Sequence, residues 1–147
     1  MAERLRRILL ADNDEDVLVA LERTLEDGGY ATTTALSHEE ASKILSRSTF
    51  DLLVLDDYLS DKDSIQVLTE FRRVGMTLLV IVTYHRFPSF HEENQLRALG
   101  VSALVNKSAH SELAQIVDHL LDPRTARHRD ESTVAPIVLS PGAMMPS

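Results

Sequence analysis

Acidic, hydroxyl and basic side chains follow four apolar runs of this chain. Asp12 follows the first run, Asp56 the second and Thr83 the third, and Lys107 stands two residues beyond the last. Carboxylates that crowd together away from water repel one another and raise each other's pKa, and a hard divalent cation removes that penalty. If these four side chains meet, we expect a Mg²⁺ site that also holds a hydroxyl and an ammonium group.

This set of groups matches the requirements of phosphoryl transfer. The transition state spreads negative charge over three equatorial oxygens, so catalysis consists mainly of positioning and charge neutralisation. Mg²⁺ would hold one oxygen, Lys107 a second and the Thr83 hydroxyl a third, with Asp56 as the nucleophile. The combination carries this interpretation, because each group alone also fits a helix start, an exposed turn or a solvated charge.

Unbroken apolar runs predict strands that helices cover on both faces. The runs are residues 8–11, 52–55, 78–82 and 103–105, and the more polar residues 30–34 fit an edge strand. Strands buried on both faces are typical of parallel sheets. Ligands of such sheets bind outside the carboxyl ends of the strands, where the four side chains stand.

Segments with helical periodicity separate and follow these runs. Stripes of apolar residues, stop signals such as Gly28-Gly29 and a capping pattern at Ser37 and Glu40 predict five helices. Strand then helix, repeated five times with short connections, predicts a doubly wound α/β fold with right-handed crossovers.

Composition excludes several functional classes. Fifteen Lys and Arg residues against 23 Asp and Glu give a net charge of −8, unlike a nucleic-acid-binding segment, and the chain has no cysteine. The longest apolar runs have four or five residues, too few to span a membrane. Residues 1–7 lack the apolar stretch of a signal peptide, so we expect a cytoplasmic protein that binds neither nucleic acid nor a membrane.

The character of the chain changes after Asp122. Residues 123–147 are rich in proline and have little periodicity, and Pro136 interrupts the one stretch, residues 134–139, that resembles a strand. We therefore expect a folded domain over residues 1–122 and a flexible tail or linker over residues 123–147.

Four motifs resemble those of the receiver domain of bacterial two-component response regulators. They are RILLADND ending at Asp14, FDLLVLD ending at Asp56, VIVT ending at Thr83 and VNKS containing Lys107. The resemblance extends over residues 5–121. It implies a five-stranded parallel sheet of flavodoxin-like order 2-1-3-4-5, flanked by five helices, with Mg²⁺ in an acidic pocket.

The resemblance also implies roles and partners. Asp56 resembles the phosphoryl-accepting aspartate, Asp12 a metal ligand, Thr83 the hydroxyl that bonds the phosphoryl group, and Lys107 the charge that pairs with it. Tyr58 would lend its backbone carbonyl to the metal. The implied function is phosphorelay signalling rather than an enzyme activity. A sensor histidine kinase or phosphotransfer protein would be the donor, and an output protein or second copy would bind the face of helix 4, strand 5 and helix 5.

Several residues depart from the family pattern. Asn13 replaces a metal-binding acid; its amide oxygen can still coordinate Mg²⁺, but with one negative charge fewer. Tyr84 stands where a small residue lines the path to the aspartate, and Leu104 replaces an aromatic residue that moves on phosphorylation. Serines replace the usual proline or glycine at positions 60, 64 and 108.

Two other functions remain open at this point. A receiver-like interaction module that works without phosphorylation fits the departures at Asn13, Tyr84 and Leu104. Asp12 and Asp14 also resemble the Asp-x-Asp start of haloacid-dehalogenase-type phosphatases, with Asp12 as nucleophile and Asp14 as acid. That family needs an acidic pair downstream of its lysine, and no strand-like segment with such a pair follows Lys107.

Overall fold

A computed structural model describes residues 4–59, 62–122 and 138–139 of the chain. Ser60 and most of the expected tail lie outside the described residues, so the division at residue 122 stays a prediction. The described elements, in chain order, are β1 (Arg7–Ala11), α1 (Glu15–Asp27), β2 (Ala31–Ala35), α2 (His38–Arg47), β3 (Leu52–Asp56), β4 (Tyr58–Leu59), β5 (Lys62–Asp63), α3 (Ser64–Arg73), β6 (Leu79–Tyr84), α4 (Phe90–Ala98), β7 (Ala103–Asn106), α5 (His110–Leu120) and β8 (Val138–Leu139).

The main sheet is parallel and follows the order β2-β1-β3-β6-β7-β8. Its first five strands are the four expected from the apolar runs and the edge strand expected at residues 30–34, in the expected order, and five helices connect or follow them. The predicted doubly wound α/β fold is therefore confirmed. Two features add to it: a sixth strand, β8, beside β7, and an antiparallel pair of two-residue strands, β4 and β5, between β3 and α3.

Side chains of the sheet alternate between two separate apolar clusters. In β1, Ile8 and Leu10 pack on the face covered by α1 and α5, whereas Leu9 packs on the face covered by α2, α3 and α4. These three side chains are fully buried. Successive residues of a strand point to opposite faces, so an unbroken apolar run fills both clusters.

Side-chain caps fix where the helices begin. Asp63 and Gln66 form a reciprocal capping box at the start of α3. The predicted cap at α2 is present in part: the Ser37 hydroxyl accepts a hydrogen bond from the Glu40 N–H, but the Glu40 carboxylate accepts from the Leu36 N–H. Each cap satisfies backbone N–H groups that have no partner within the helix.

Arg72 joins the ends of α3 and α4 to the segment before β6. Its guanidinium group donates hydrogen bonds to the backbone carbonyls of Leu99, Met76 and Leu78, at 2.9, 2.8 and 3.2 Å. Burial lowers the pKa of this guanidinium group, which nevertheless stays charged at every physiological pH. One side chain thus satisfies three carbonyl groups of two segments at the end of the sheet opposite the acidic residues.

Candidate functional site

Four of the residues singled out in the sequence lie at the carboxyl edge of the sheet. Asp12 follows β1, Asp56 ends β3, Thr83 lies opposite Asp56 in the β3–β6 register, and Lys107 follows β7. All four are buried, with exposed fractions of 3% for Asp12 and Asp56, 4% for Thr83 and 9% for Lys107. Buried polar groups need partners, so their contacts decide what the site can do.

The Lys107 ammonium group bridges the two carboxylates. Its Nζ lies 3.0 Å from Asp56 Oδ2 and 3.0 Å from Asp12 Oδ2. The backbone N–H of Lys107 donates a hydrogen bond to the Tyr84 carbonyl at 2.9 Å, and this bond holds the backbone of Lys107 against β6. The structure therefore brings together residues that are 95 and 51 positions apart in the chain.

Backbone hydrogen bonds hold Asp12 in place. Its Oδ1 accepts from the Asp14 N–H at 2.9 Å, and its own N–H donates to the Ala35 carbonyl at 3.1 Å. Burial raises the pKa of the Asp12 carboxyl, the hydrogen bond from Asp14 lowers it, and the charge of Asp56 raises it again. The net direction is upward, as expected for two acids that share one cation.

Asp56 keeps one oxygen without a partner. Its Oδ2 accepts from Lys107, while Oδ1 is buried and has no hydrogen-bond partner among the described residues. Burial raises the pKa of Asp56, the hydrogen bond from Lys107 opposes that rise, and the adjacent Asp57 raises it further. An unpartnered buried carboxylate oxygen costs free energy, which a bound cation or a covalent bond at that oxygen removes.

Asp57 is a contributor that the sequence reasoning did not assign. Its N–H donates to the Thr83 carbonyl at 2.8 Å, and its own carbonyl accepts from the Ser64 N–H at 2.9 Å. These bonds place Asp57 between β6 and the start of α3, where its charge acts on Asp56. Its position directly after Asp56 is the feature of the sequence from which it could be predicted.

Asn13, Tyr58 and Asp14 are at the rim rather than in the buried centre. Asn13 is exposed, and Tyr58, in β4, has 54% of its surface exposed. The Asp14 carboxylate is engaged as the N-cap of α1 and accepts from the N–H groups of Asp16 and Val17. In this structure, Asp14 therefore serves as a helix cap.

The donor set suits Mg²⁺. Within the described ranges, no three His, Cys, Asp or Glu side chains are grouped closely enough to hold a metal ion among themselves. Mg²⁺ commonly takes one or two carboxylates and keeps several waters. Two buried carboxylates, one of them with an unpartnered oxygen, meet that pattern.

Tyr84 and Leu104 are both core residues. Tyr84 is 2% exposed, packs in the cluster under α2, α3 and α4, and contacts Phe87 edge to face at 5.4 Å between ring centroids. Its hydroxyl is buried without a partner among the described residues. Tyr84 also lines a cleft of about 360 Å³ with Asp57 and Ser64. Leu104 is fully buried in the same cluster.

Comparison with known proteins gives one family. The model of the response regulator receiver domain matches residues 8–118, which is most of the chain. Solved structures agree on the fold: a CheY-like receiver domain protein from Methanospirillum hungatei JF-1 has a TM-score of 0.76 at 21% identity, covering 85% of this chain and 99% of that one. TrrA from Thermotoga maritima, solved in complex with Mg²⁺-BeF, has a TM-score of 0.68 at 27% identity, covering 80% and 100%.

Curated relatives are longer than the matched region. The chain is 32% identical over 134 residues to the transcriptional regulatory protein PrrA of Mycobacterium tuberculosis, covering 89% of this chain and 58% of that one. It is 38% identical over 85 residues to the alginate biosynthesis transcriptional regulatory protein AlgB of Pseudomonas aeruginosa, covering 57% and 19%. The chain thus spans between about a fifth and three fifths of these relatives. Among the described helices, none has the length and apolar character to cross a membrane.

Proposed function

The chain belongs to the response regulator receiver domain family, and from this premise we propose that it is a phosphoacceptor domain that takes a phosphoryl group on Asp56 in the presence of Mg²⁺. The observation that carries the proposal is the buried Asp56 carboxylate, which is held by Lys107 through one oxygen and keeps the other oxygen unpartnered. A nucleophile needs such a free oxygen within reach of compensating positive charge.

The transfer step follows from this geometry. The unpartnered oxygen of Asp56 attacks the phosphorus atom, a new P–O bond forms, and the bond between phosphorus and the donor's nitrogen or oxygen breaks in line. Lys107 remains beside Asp56 and neutralises charge on the phosphoryl oxygens. The Thr83 hydroxyl donates a hydrogen bond to another of these oxygens, from its place opposite Asp56 on β6.

Metal binding in this proposal uses Asp12 and Asp56 as carboxylate ligands, with the Asn13 amide oxygen and the Tyr58 backbone carbonyl at the rim. When bound, Mg²⁺ supplies positive charge to the transferring oxygens. The two raised carboxyl pKa values support a cation here, because a cation reverses the effect of burial and mutual repulsion on both acids. The Mg²⁺-BeF complex of TrrA gives independent support from a relative.

The partners follow from the same family. A sensor histidine kinase or a phosphotransfer protein donates the phosphoryl group. The charge change at Asp56 then alters the face formed by α4, β7 and α5, where an output protein or a second copy binds. Lys107 lies directly after β7, so the strand of this face leads into the site.

Intact mass spectrometry tests the acceptor. The wild-type protein, incubated with Mg²⁺ and a small acyl phosphate, should gain one phosphoryl group, and Asp56→Asn should gain none. Asp57→Asn is the matched control, because it removes the neighbouring carboxylate and should still be labelled. Labelling of Asp56→Asn to the wild-type extent would overturn the assignment.

A phosphorylation-independent interaction module is the second candidate. Asn13 supplies no negative charge to a metal ion. Lys107 already neutralises both carboxylates when no metal ion is bound. A Mg²⁺ titration, monitored through the amide chemical shifts of Asp12 and Asp56, distinguishes the two candidate functions. Saturable shifts at roughly millimolar Mg²⁺ support the phosphoacceptor, and their absence supports the module.

A further inference from the structure

The outer edge of β7 is covered by a segment from the end of the chain. β8 pairs with β7 in parallel, with Ala103 opposite Val138 and Leu104 opposite Leu139, and it is the last strand of the sheet. Unpaired N–H and C=O groups of an edge strand are a template for pairing with another chain. Two residues of β8 thus occupy the position at which such a chain would add.

Both faces of β7 are covered. Ala103, Leu104 and Val105 are fully buried, because the two apolar clusters close over both faces of the strand. The backbone groups along its outer side are therefore what β7 offers to a ligand. An extended peptide that binds such an edge gains main-chain hydrogen bonds, the mode known as β-strand addition.

The length of β8 sets it apart from the other strands of the main sheet. Those five strands have four to six residues each, whereas β8 has two. Each main-chain hydrogen bond adds only about 1 kcal/mol to stability, so a strand with two paired residues is held weakly.

We propose that the segment containing Val138 and Leu139 is a tethered, releasable ligand of the β7 edge. While it is docked, it excludes an extended strand of another protein, or of a second copy, from the face of α4, β7 and α5. Its short length, just two paired residues, keeps the docking reversible. This inference concerns the occupancy of the edge and goes beyond the proposed phosphoacceptor function.

Hydrogen exchange of the full-length chain tests the docking. Val138→Pro with Leu139→Pro removes both N–H groups of β8 and prevents pairing. Outward-facing amides among residues 103–106 should then exchange about tenfold faster or more, while amides of the central strand β3 keep their wild-type rates. Ala143→Pro with Met144→Pro is the matched control, since it adds two prolines to the same end of the chain outside β8. Unchanged exchange in β7, or equal acceleration in the control, would overturn the proposal.

A peptide supplies the second measurement. A synthetic peptide of residues 135–141, added to the Val138→Pro/Leu139→Pro protein, should restore protection and shift the amide signals of β7 in a saturable manner. The same peptide with prolines at positions 138 and 139 should do neither. Absence of these shifts would contradict the proposal. Because no phosphoryl donor is present, failure here leaves the role of Asp56 untouched.

Discussion

Lys107 holds the two buried acids of the site together. Its ammonium group lies 3.0 Å from both Asp12 Oδ2 and Asp56 Oδ2, and all three side chains are at least nine-tenths buried. Burial lowers the pKa of Lys107, but the hydrogen bonds to the two carboxylates outweigh it, so the net direction is upward. The lysine therefore stays charged, and removing it leaves two buried negative charges without a partner.

The first prediction concerns that loss. Lys107→Met should reduce the free energy of unfolding at pH 7 by about 3–5 kcal/mol, because removing one partner of a buried ion pair leaves the other charge uncompensated. Urea denaturation measures the change. Lys62→Met is the control: Lys62 forms an ion pair with Glu70 at the surface, and its loss should cost less than about 1 kcal/mol. Equal losses in the two variants would contradict the bridging role.

The second prediction concerns pH. The pKa of Asp56 is raised above its usual 3.8, so the folded protein holds this proton to higher pH than the unfolded chain does. The stability that this group contributes is thus present at low pH and is lost as the pH rises through the window above 3.8. Asp56→Asn should therefore raise the Tm by a few degrees at pH 7 without added Mg²⁺. Near pH 3 the gain should vanish. A Tm of Asp56→Asn below that of the wild type at pH 7 would contradict the prediction.

Residue types and spacing were enough to predict that three polar side chains lie together, and the reason is the sheet. The carboxyl ends of parallel strands meet at one edge, so Asp12, Asp56 and Lys107 converge although they are far apart in the chain. A helix start was one of the alternatives for these acids, and the structure shows that Asp14 caps α1. The burial of the Tyr84 ring was not predicted, because it depends on where the side chain points, which spacing along the chain leaves open.

Helices and strands were predictable wherever the pattern was long enough. Gly28-Gly29 ends α1 as expected, with Gly29 at φ +96°, a conformation that glycine adopts without strain. β4 and β5 have two residues each, too few to show any periodicity, and the sequence did not predict them. β8 begins after Pro136, the residue that argued against a strand there.

The third prediction tests the connection made by Arg72. Arg72→Met should destabilise the fold by about 2 kcal/mol, since it leaves partly buried carbonyl groups of Leu99, Met76 and Leu78 without their donor. Thermal unfolding provides the measurement. Arg73→Met, at the next and exposed position of α3, should change stability by less than about 0.5 kcal/mol. A comparable effect of both substitutions would show that general charge loss, rather than the hydrogen bonds, is responsible.

Metal binding should stabilise the whole molecule, because a ligand that binds the folded state shifts the unfolding equilibrium. The fourth prediction is that the Tm rises with Mg²⁺ concentration, by an amount that corresponds to about 2.7 kcal/mol at 100 times the Kd. Asp12→Asn should abolish most of this rise.

Asp14→Asn provides the control for that experiment. Asparagine is as good an N-cap as aspartate, so the fold is kept while an acid next to the site is removed. Its response to Mg²⁺ should remain close to that of the wild type. A Tm that rises equally in the Asp12→Asn protein would show that Mg²⁺ acts elsewhere on this acidic chain.

The sheet divides the interior into two compartments that share backbone but no side chains. Ile8 and Leu10 belong to one, and Leu9 to the other, within a single strand. A change of side-chain volume under α1 and α5 therefore reaches the packing beneath α4 only through the backbone of the sheet.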